Sequence, residues 1–201
     1  MGRVFISGGK GGLARAVAAR FSAAGWAVDA PSRAELDVGD CSAVEEWFAG
    51  RPAYDLAVCA AGVTKDRPFL KQTEDEWDAV MGVNARGAAW CARCAAAGML
   101  REGREGQVVM IGSYAAYRPA PSQAAYAASK SALEGLVKSL AREWGKKGIR
   151  VNLVLPGFLL TDMTEGLRES VKEAALSRHV LGRFNTPEQT AAVSEDENLP
   201  F

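Results

Sequence analysis

The alternation of short apolar, β-branched runs with longer segments of helical period constrains this chain more than any other feature. The runs are Val4–Ile6, Ala27–Ala30, Leu56–Ala60, Val108–Ile111 and Val151–Leu155; between them lie Leu13–Ala24, Ala43–Phe48, Glu74–Leu100 and Ala124–Trp144. Strands joined by helical crossovers form βαβ units, which build a parallel sheet covered on both faces, so the class is α/β. A further short strand is expected around Leu36-Asp37-Val38. With 201 residues, 48% of them hydrophobic, and no internal repeat or Pro/Gly-rich linker, the chain suits one domain with a sizeable core.

Charge and cysteine usage exclude several functions. Lys plus Arg (24) balances Asp plus Glu (24) without blocks of one sign, which predicts no nucleic-acid and no membrane partner and favours a small-molecule ligand. Met1 leads straight into a strand-like run with no signal-peptide pattern, predicting a cytoplasmic protein. Cys41, Cys59, Cys91 and Cys94 make no secreted-type disulfide framework. Cys91 and Cys94 fall in an Ala-rich helical segment, where small residues suit a packing face and a redox or metal pair is the alternative. His179 is the only histidine, which argues against imidazole metal ligation and a Ser-His-Asp triad; no metal is expected.

In such sheets ligands bind beyond the carboxyl ends of the strands, so the residues after each apolar run are the ones to read. After the first run comes Ser7-Gly8-Gly9-Lys10-Gly11-Gly12-Leu13-Ala14, opening directly into a helix. Glycines let backbone N–H groups approach a phosphate at the positive end of a helix dipole, so this segment reads as a pyrophosphate cradle, with a flexible connection as the alternative. After the second run, Ser32 and Arg33 stand where a carboxylate would hold the adenosine ribose of NAD. Arg33 can take a 2′-phosphate, Ser32 can donate to it and Lys10 adds charge, so NADP(H) is favoured over NAD(H). Asp29 competes as a ribose ligand. Asp37 can accept from the adenine amino group or merely cap a loop. Cys59-Ala60-Ala61-Gly62 leaves room for a cofactor ring against the backbone.

Tyr126 and Lys130, one helical turn apart, share a helix face, and Ser113 closes the strand-like run upstream. A lysine about 4 Å from a phenol, at an effective dielectric of about 20, supplies on the order of 4 kcal/mol. That is the scale needed to bring a tyrosine from a pKa of about 10 toward neutrality. Alone, this spacing also describes an ordinary amphipathic helix.

Taken in order, these motifs resemble the short-chain dehydrogenase/reductase family, most closely its 3-oxoacyl-[acyl-carrier-protein] reductases, from Val4 to about Val193. Ala14 stands where the cofactor loop's last glycine is usual, Cys59-Ala60-Ala61-Gly62 lacks both asparagines of the Asn-Asn-Ala-Gly motif, and Gly62-Val63-Thr64-Lys65-Asp66 resembles a segment of the carrier-protein reductases. The resemblance implies Asn84, Ser113, Tyr126 and Lys130 as catalytic residues. Cofactor contacts would come from Gly8, Lys10, Gly11, Gly12, Leu13, Ser32, Arg33, Asp37, Ala60, Ala61, Gly62, Tyr126, Lys130, Pro156, Gly157 and Thr161. It further implies NADP(H), a carbonyl substrate of the kind met in fatty acid biosynthesis, and a Rossmann-type sheet of six strands in the order 3-2-1-4-5-6. Residues 1–193 would form the single domain, about 157–180 the substrate lid with Phe158, Leu159, Leu160, Met163 and Leu167, and 194–201 a polar tail. Ser113 and Tyr126 would bind the substrate oxygen, Lys130 would lower the Tyr126 pKa and hold the nicotinamide ribose, and Asn84 would anchor a water. Ser113 as a turn cap and Asn84 as a helix-kink residue are the alternatives.

The family's seventh strand has no counterpart after Thr186-Pro187-Glu188. Its absence predicts an exposed sixth strand, Ile149–Leu155, a stability loss of about 5–10 kcal/mol and an altered interface in any homo-oligomer. Reduction of a ketone is therefore expected, with a cofactor-holding but catalytically impaired relative or regulatory subunit as the alternative. Arg101 and Arg104 are candidates to meet an acidic carrier protein.

Overall fold

Side chains along each strand point alternately to two faces, and both faces are covered. The structure, a computed structural model, describes residues 1–161, 164, 166, 169–177 and 182–193. Strands β1 (Arg3–Ile6), β2 (Ala27–Asp29), β3 (Leu56–Cys59), β4 (Gly106–Ile111) and β5 (Ile149–Val154) form one parallel sheet in the order β2-β1-β3-β4-β5. The register runs Val4↔Leu56, Ile6↔Val58, Val58↔Val109 and Met110↔Leu153.

Helices α1 (Gly12–Ala23) and α7 (Pro187–Val193) cover one face. Helices α2 (Cys41–Phe48), α4 (Ala88–Arg101) and α5 (Ala124–Trp144) cover the other, with α3 (Glu74–Met81) running into α4; α6 (Glu169–Leu176) lies beyond β5 in the chain. Val4, Ile6, Val58, Val109 and Ile111 pack toward α1 with Val17 and Phe21. Phe5, Ala57, Val108, Met110 and Val151 pack toward Val44, Cys91, Met99 and Leu133 on the opposite side. Period-two strands between two helical layers produce this double core.

One expected strand is corrected. Leu36-Asp37-Val38 is a turn, not a strand, so the described sheet has five strands and the remaining order is as expected. The Leu36 N–H donates to the Ser32 carbonyl at 2.9 Å and the Gly39 N–H to Asp37 Oδ1 at 2.9 Å, which takes these groups out of any ladder. Leu36 and Val38 still bury their side chains, so an apolar-polar-apolar triplet served a turn that plugs the core. Inside the expected domain, the segment after Thr186 forms α7, which lies on α1 and buries Ala191. The tail 194–201, His179, Met163 and Leu167 lie outside the described residues.

β5 is the edge of the described sheet; α5 lies over it, leaving Val151 buried while Leu155, just past the strand, is exposed. Among the described residues no helix is long and apolar enough to cross a membrane, and no group of His, Cys, Asp or Glu could hold a metal ion.

Candidate functional site

The carboxyl ends of β1, β3 and β4 open into one cleft of about 1330 Å3. Its floor is the turn after β1. Gly8 has φ of +73°, a left-handed conformation, and a Cβ there would meet Ala61 Cα at 2.9 Å. A Cβ on Gly9 would collide with the Ala30 carbonyl. The Gly11 N–H closes the turn onto the Gly8 carbonyl at 2.8 Å, and α1 then begins without a side-chain cap. First-turn N–H groups of an uncapped helix face an anion with favourable dipole sign, so the cradle fits the pyrophosphate of a dinucleotide. The Ser7 hydroxyl accepts the Ala61 N–H at 3.0 Å, tying this turn to the loop after β3.

Lys10, Arg33 and Asp37 line the cleft as well. Arg33 is paired with Asp37 at 3.1 Å across one turn. Ser32 is not on the cleft wall: it is buried, and its hydroxyl and N–H donate to Glu35 Oε2 at 2.7 and 2.8 Å. Asp29, the competing ribose ligand, is engaged elsewhere, accepting from Arg3 at 2.9 Å and from the Tyr54 hydroxyl at 2.8 Å. The Asp29 carboxylate and burial push the Tyr54 phenol up to about 12, with burial the larger cause.

At the other end α5 brings Tyr126 and Lys130 beside Ser113, which follows β4. Lys130 is buried, and its Nζ donates to the Ile111 carbonyl at 2.7 Å. Burial draws this ammonium down to about 8. Tyr126 stands above its ordinary value: burial is the main cause, the hydrogen bond with Ser113 opposes it and the Asp66 carboxylate adds to it. The direction is opposite to the expectation that Lys130 lowers it. Lys130 Nζ lies 5.9 Å from the ring centroid and gives one of its three N–H groups to the Ile111 carbonyl, and burial of the phenol outweighs its charge. Ser113 also caps the 3-10 turn that follows it, its hydroxyl accepting from the Ala115 N–H at 3.1 Å.

Asn84 sits in a π-helical segment, Gly82–Gly87, between α3 and α4. Its Oδ1 accepts the Val63 N–H at 2.8 Å, and its Nδ2 donates to the Val63 carbonyl at 2.9 Å and to Ser129 Oγ at 3.0 Å. Ser129 donates in turn to the Tyr126 carbonyl at 2.7 Å. Single π turns recur at functional sites because the extra residue displaces a side chain from its normal helical direction.

Gly8, Gly11, Gly12, Leu13, Ala60, Ala61, Gly62, Pro156, Gly157 and Thr161 all line the cleft with the residues above. Asn84 does not line the cleft and is bonded to Val63 and Ser129. The segment after β5 contributes Phe158, Leu159 and, from α6, Ala174 and Ala175 to the wall; Leu160 is exposed. Sequence reading missed Asp66, Arg118, Ser122 and Gln123 on the wall. Only Asp66 lay in a motif already singled out; the others come near through the fold of the loop before α5.

A doubly covered parallel sheet with a glycine turn after its first strand and a Tyr-Lys helix on the same cleft define a Rossmann-type α/β fold. The chain belongs to the short-chain dehydrogenase/reductase family: the family model described as Enoyl-(Acyl carrier protein) reductase matches residues 10–194. It is 41% identical over 139 residues to a 3-oxoacyl-[acyl-carrier-protein] reductase of Thermotoga maritima, covering 69% of this chain and 56% of that one. It is 40% identical over 140 residues to an acetoacetyl-CoA reductase of Synechocystis, covering 70% and 58%. The chain therefore spans a little over half the length of these curated relatives. A solved structure from Agrobacterium tumefaciens, of a candidate 2-deoxy-d-gluconate 3-dehydrogenase with bound NADP, matches 96% of this chain and 87% of its own, with a TM-score of 0.87 and 29% identity.

Proposed function

We propose that this protein catalyses the NADPH-dependent reduction of a ketone, a 3-oxoacyl thioester or similar carbonyl, to a secondary alcohol. The observation that carries it is the convergence of Ser113, a neutral Tyr126 and a buried Lys130 on one cleft floored by the glycine cradle. The curated relatives named above support the carbonyl class, and the NADP bound by the solved relative supports the cofactor.

The bound dinucleotide supplies the hydride; the chain's residues do the rest. Ser113 and Tyr126 hydrogen-bond the carbonyl oxygen and polarise it. Tyr126 donates its phenolic proton as alkoxide develops, and a phenol held above its ordinary range arrives protonated at neutral pH, the form reduction consumes. Lys130 holds a positive charge beneath the reacting centre and a proton donor toward the nicotinamide ribose. Asn84, fixed by Val63 and Ser129, sets the backbone that frames the tyrosine. Lys10 and Arg33 receive the 2′-phosphate; a phosphate dianion competes for Arg33 with the single Asp37 carboxylate through bidentate, charge-assisted bonds.

A carrier-linked thioester is compatible with this cleft. Arg104 is, however, engaged by Asp55 and Glu102, and Arg101 lies 3.7 Å from Glu102, so docking through these arginines would exchange those ion pairs. The decisive experiment follows loss of reduced-nicotinamide absorbance with a short β-ketoacyl thioester. Tyr126→Phe should lower turnover by about 100- to 10,000-fold. Turnover unchanged by that substitution removes the proposed acid, and NADPH binding without turnover across ketone classes leaves a cofactor-holding protein instead.

A further inference from the structure

The turn that leads into α5 is strained, and a neighbouring loop clasps it. Ser122 is the non-glycine residue with positive φ, +75°, among the described residues. L side chains resist that conformation, and it persists where surrounding contacts over-determine it. The contacts come from the loop that leaves β3. The Arg67 N–H donates to the Ser122 carbonyl at 3.0 Å, and Gln123 Nε2 donates to Asp66 Oδ2 at 3.2 Å. Asp66 Oδ1 is engaged by the Thr64 hydroxyl. Gln123 Oε1 accepts the Ala120 N–H at 2.9 Å, and its carbonyl accepts the Ala127 N–H at 2.8 Å in the first turn of α5. The near end of the loop is fixed at Val63 by Asn84. A continuous chain of bonds therefore runs from the π segment, across residues 63–67, to the residue three places before Tyr126.

We propose that Asp66 is a positioning residue for Tyr126: its carboxylate clasps the strained Ser122-Gln123 turn to the loop after β3 and thereby sets the angle at which α5 presents the phenol. The same carboxylate faces the tyrosine and favours its neutral form. The other groups that bear on the phenol are the Ser113 hydroxyl and the Lys130 ammonium; the remaining charged side chains on the cleft wall are Lys10, Arg33, Asp37 and Arg118. Asp66 thus joins two tasks, geometry and protonation state, in a residue that touches neither end of the Tyr-Lys pair covalently or by hydrogen bond.

The inference rests on the ketoreductase reading only for its effect on turnover, so part of its test is made on the protein alone. Tyrosine labelled with 13C at Cζ, assigned by Tyr126→Phe, reports the phenol's titration, and hydrogen exchange reports the Arg67 and Ala127 amides. Asp66→Asn keeps an acceptor oxygen and removes the charge: the Tyr126 midpoint should move to lower pH while both amides stay protected. Asp66→Ala removes both: the midpoint should fall, the two amides should exchange faster, and kcat should drop about 10- to 100-fold with KM little changed. Adding Ser122→Gly, which needs no clasp to adopt a positive φ, should restore much of that kcat. An unmoved midpoint in Asp66→Asn together with unchanged exchange in Asp66→Ala overturns the proposal. A protein that reduces no ketone yet shows the shifted midpoint and faster exchange removes the reductase reading and leaves the clasp standing.

Discussion

Lys130 concentrates the conflict between folding and chemistry in a single side chain. It is buried, with its ammonium satisfied by the Ile111 carbonyl at 2.7 Å, and burial lowers its pKa from 10.5 to about 8. A lysine with a lower pKa folded than unfolded binds fewer protons in the folded state between those two values. Stability therefore rises as pH climbs from about 8 to 10.5, and the cost of the buried charge is fully present below about 8. Lys130→Met should stabilise the fold near neutral pH by about 1–3 kcal/mol, the lost hydrogen bond offsetting part of the gain, and should flatten that alkaline rise. Denaturant melts across pH would show it, and a variant less stable than the parent at pH 7 contradicts it. The same substitution should abolish reduction, since no cation would remain beneath the tyrosine. Arg33 is the counterpart at the far end of the cleft. Its side chain is 77% exposed and is held by Asp37 alone among the ion pairs described, so Arg33→Ala should leave stability within about 0.5 kcal/mol and weaken NADPH binding about tenfold or more while sparing NADH. Equal affinity of the parent protein for both dinucleotides would defeat that assignment.

Among the elements, the π segment Gly82–Gly87 does most to organise the site, and it does so through one fully buried side chain. Asn84 satisfies the N–H and carbonyl of Val63 and the Ser129 hydroxyl together, linking the loop after β3 to α5. Asn84→Ala leaves buried polar groups without partners and should cost about 2–4 kcal/mol of stability in addition to activity. Asn84→Asp should retain the bond from the Val63 N–H and lose the donor side, so its loss should be distributed differently between melting temperature and turnover. A fully stable Asn84→Ala would leave only the water-anchoring role implied by the family resemblance. The turn at residues 32–39 shows the limit of reading elements from pattern. Ser32, Glu35 and Asp37 capture local N–H groups, so Leu36 and Val38 reach the core without forming a ladder. Local side-chain bonds from Asp and Glu, with the Ser32 carbonyl, compete with strand pairing in this way, and a three-residue run offers little pairing to set against them.

For the whole molecule, the five-stranded sheet and its two helical layers bring the glycine cradle and the Tyr-Lys helix to the wall of one cleft, so a ligand bound there would touch elements from both halves of the chain. Occupancy should therefore raise global stability: NADPH at 100 times its Kd adds about 2.7 kcal/mol, which for a chain of this size is a rise in melting temperature of about 5–10 °C. NADH at the same concentration should raise it less, and no shift with either would mean that the cleft does not take a dinucleotide. The sequence by itself determined the α/β class, the five apolar runs that became strands, the cradle after the first of them and the Tyr-Lys spacing, because periodicity, glycine content and i,i+4 geometry are local properties. Only the tertiary structure decided that Leu36-Asp37-Val38 turns, that Ser32 serves Glu35, that burial pushes the Tyr126 phenol up rather than down, and that Asp66 reaches Gln123. Those outcomes depend on burial and on partners distant in the chain, and desolvation and long-range hydrogen bonds leave no periodic trace in the order of residues.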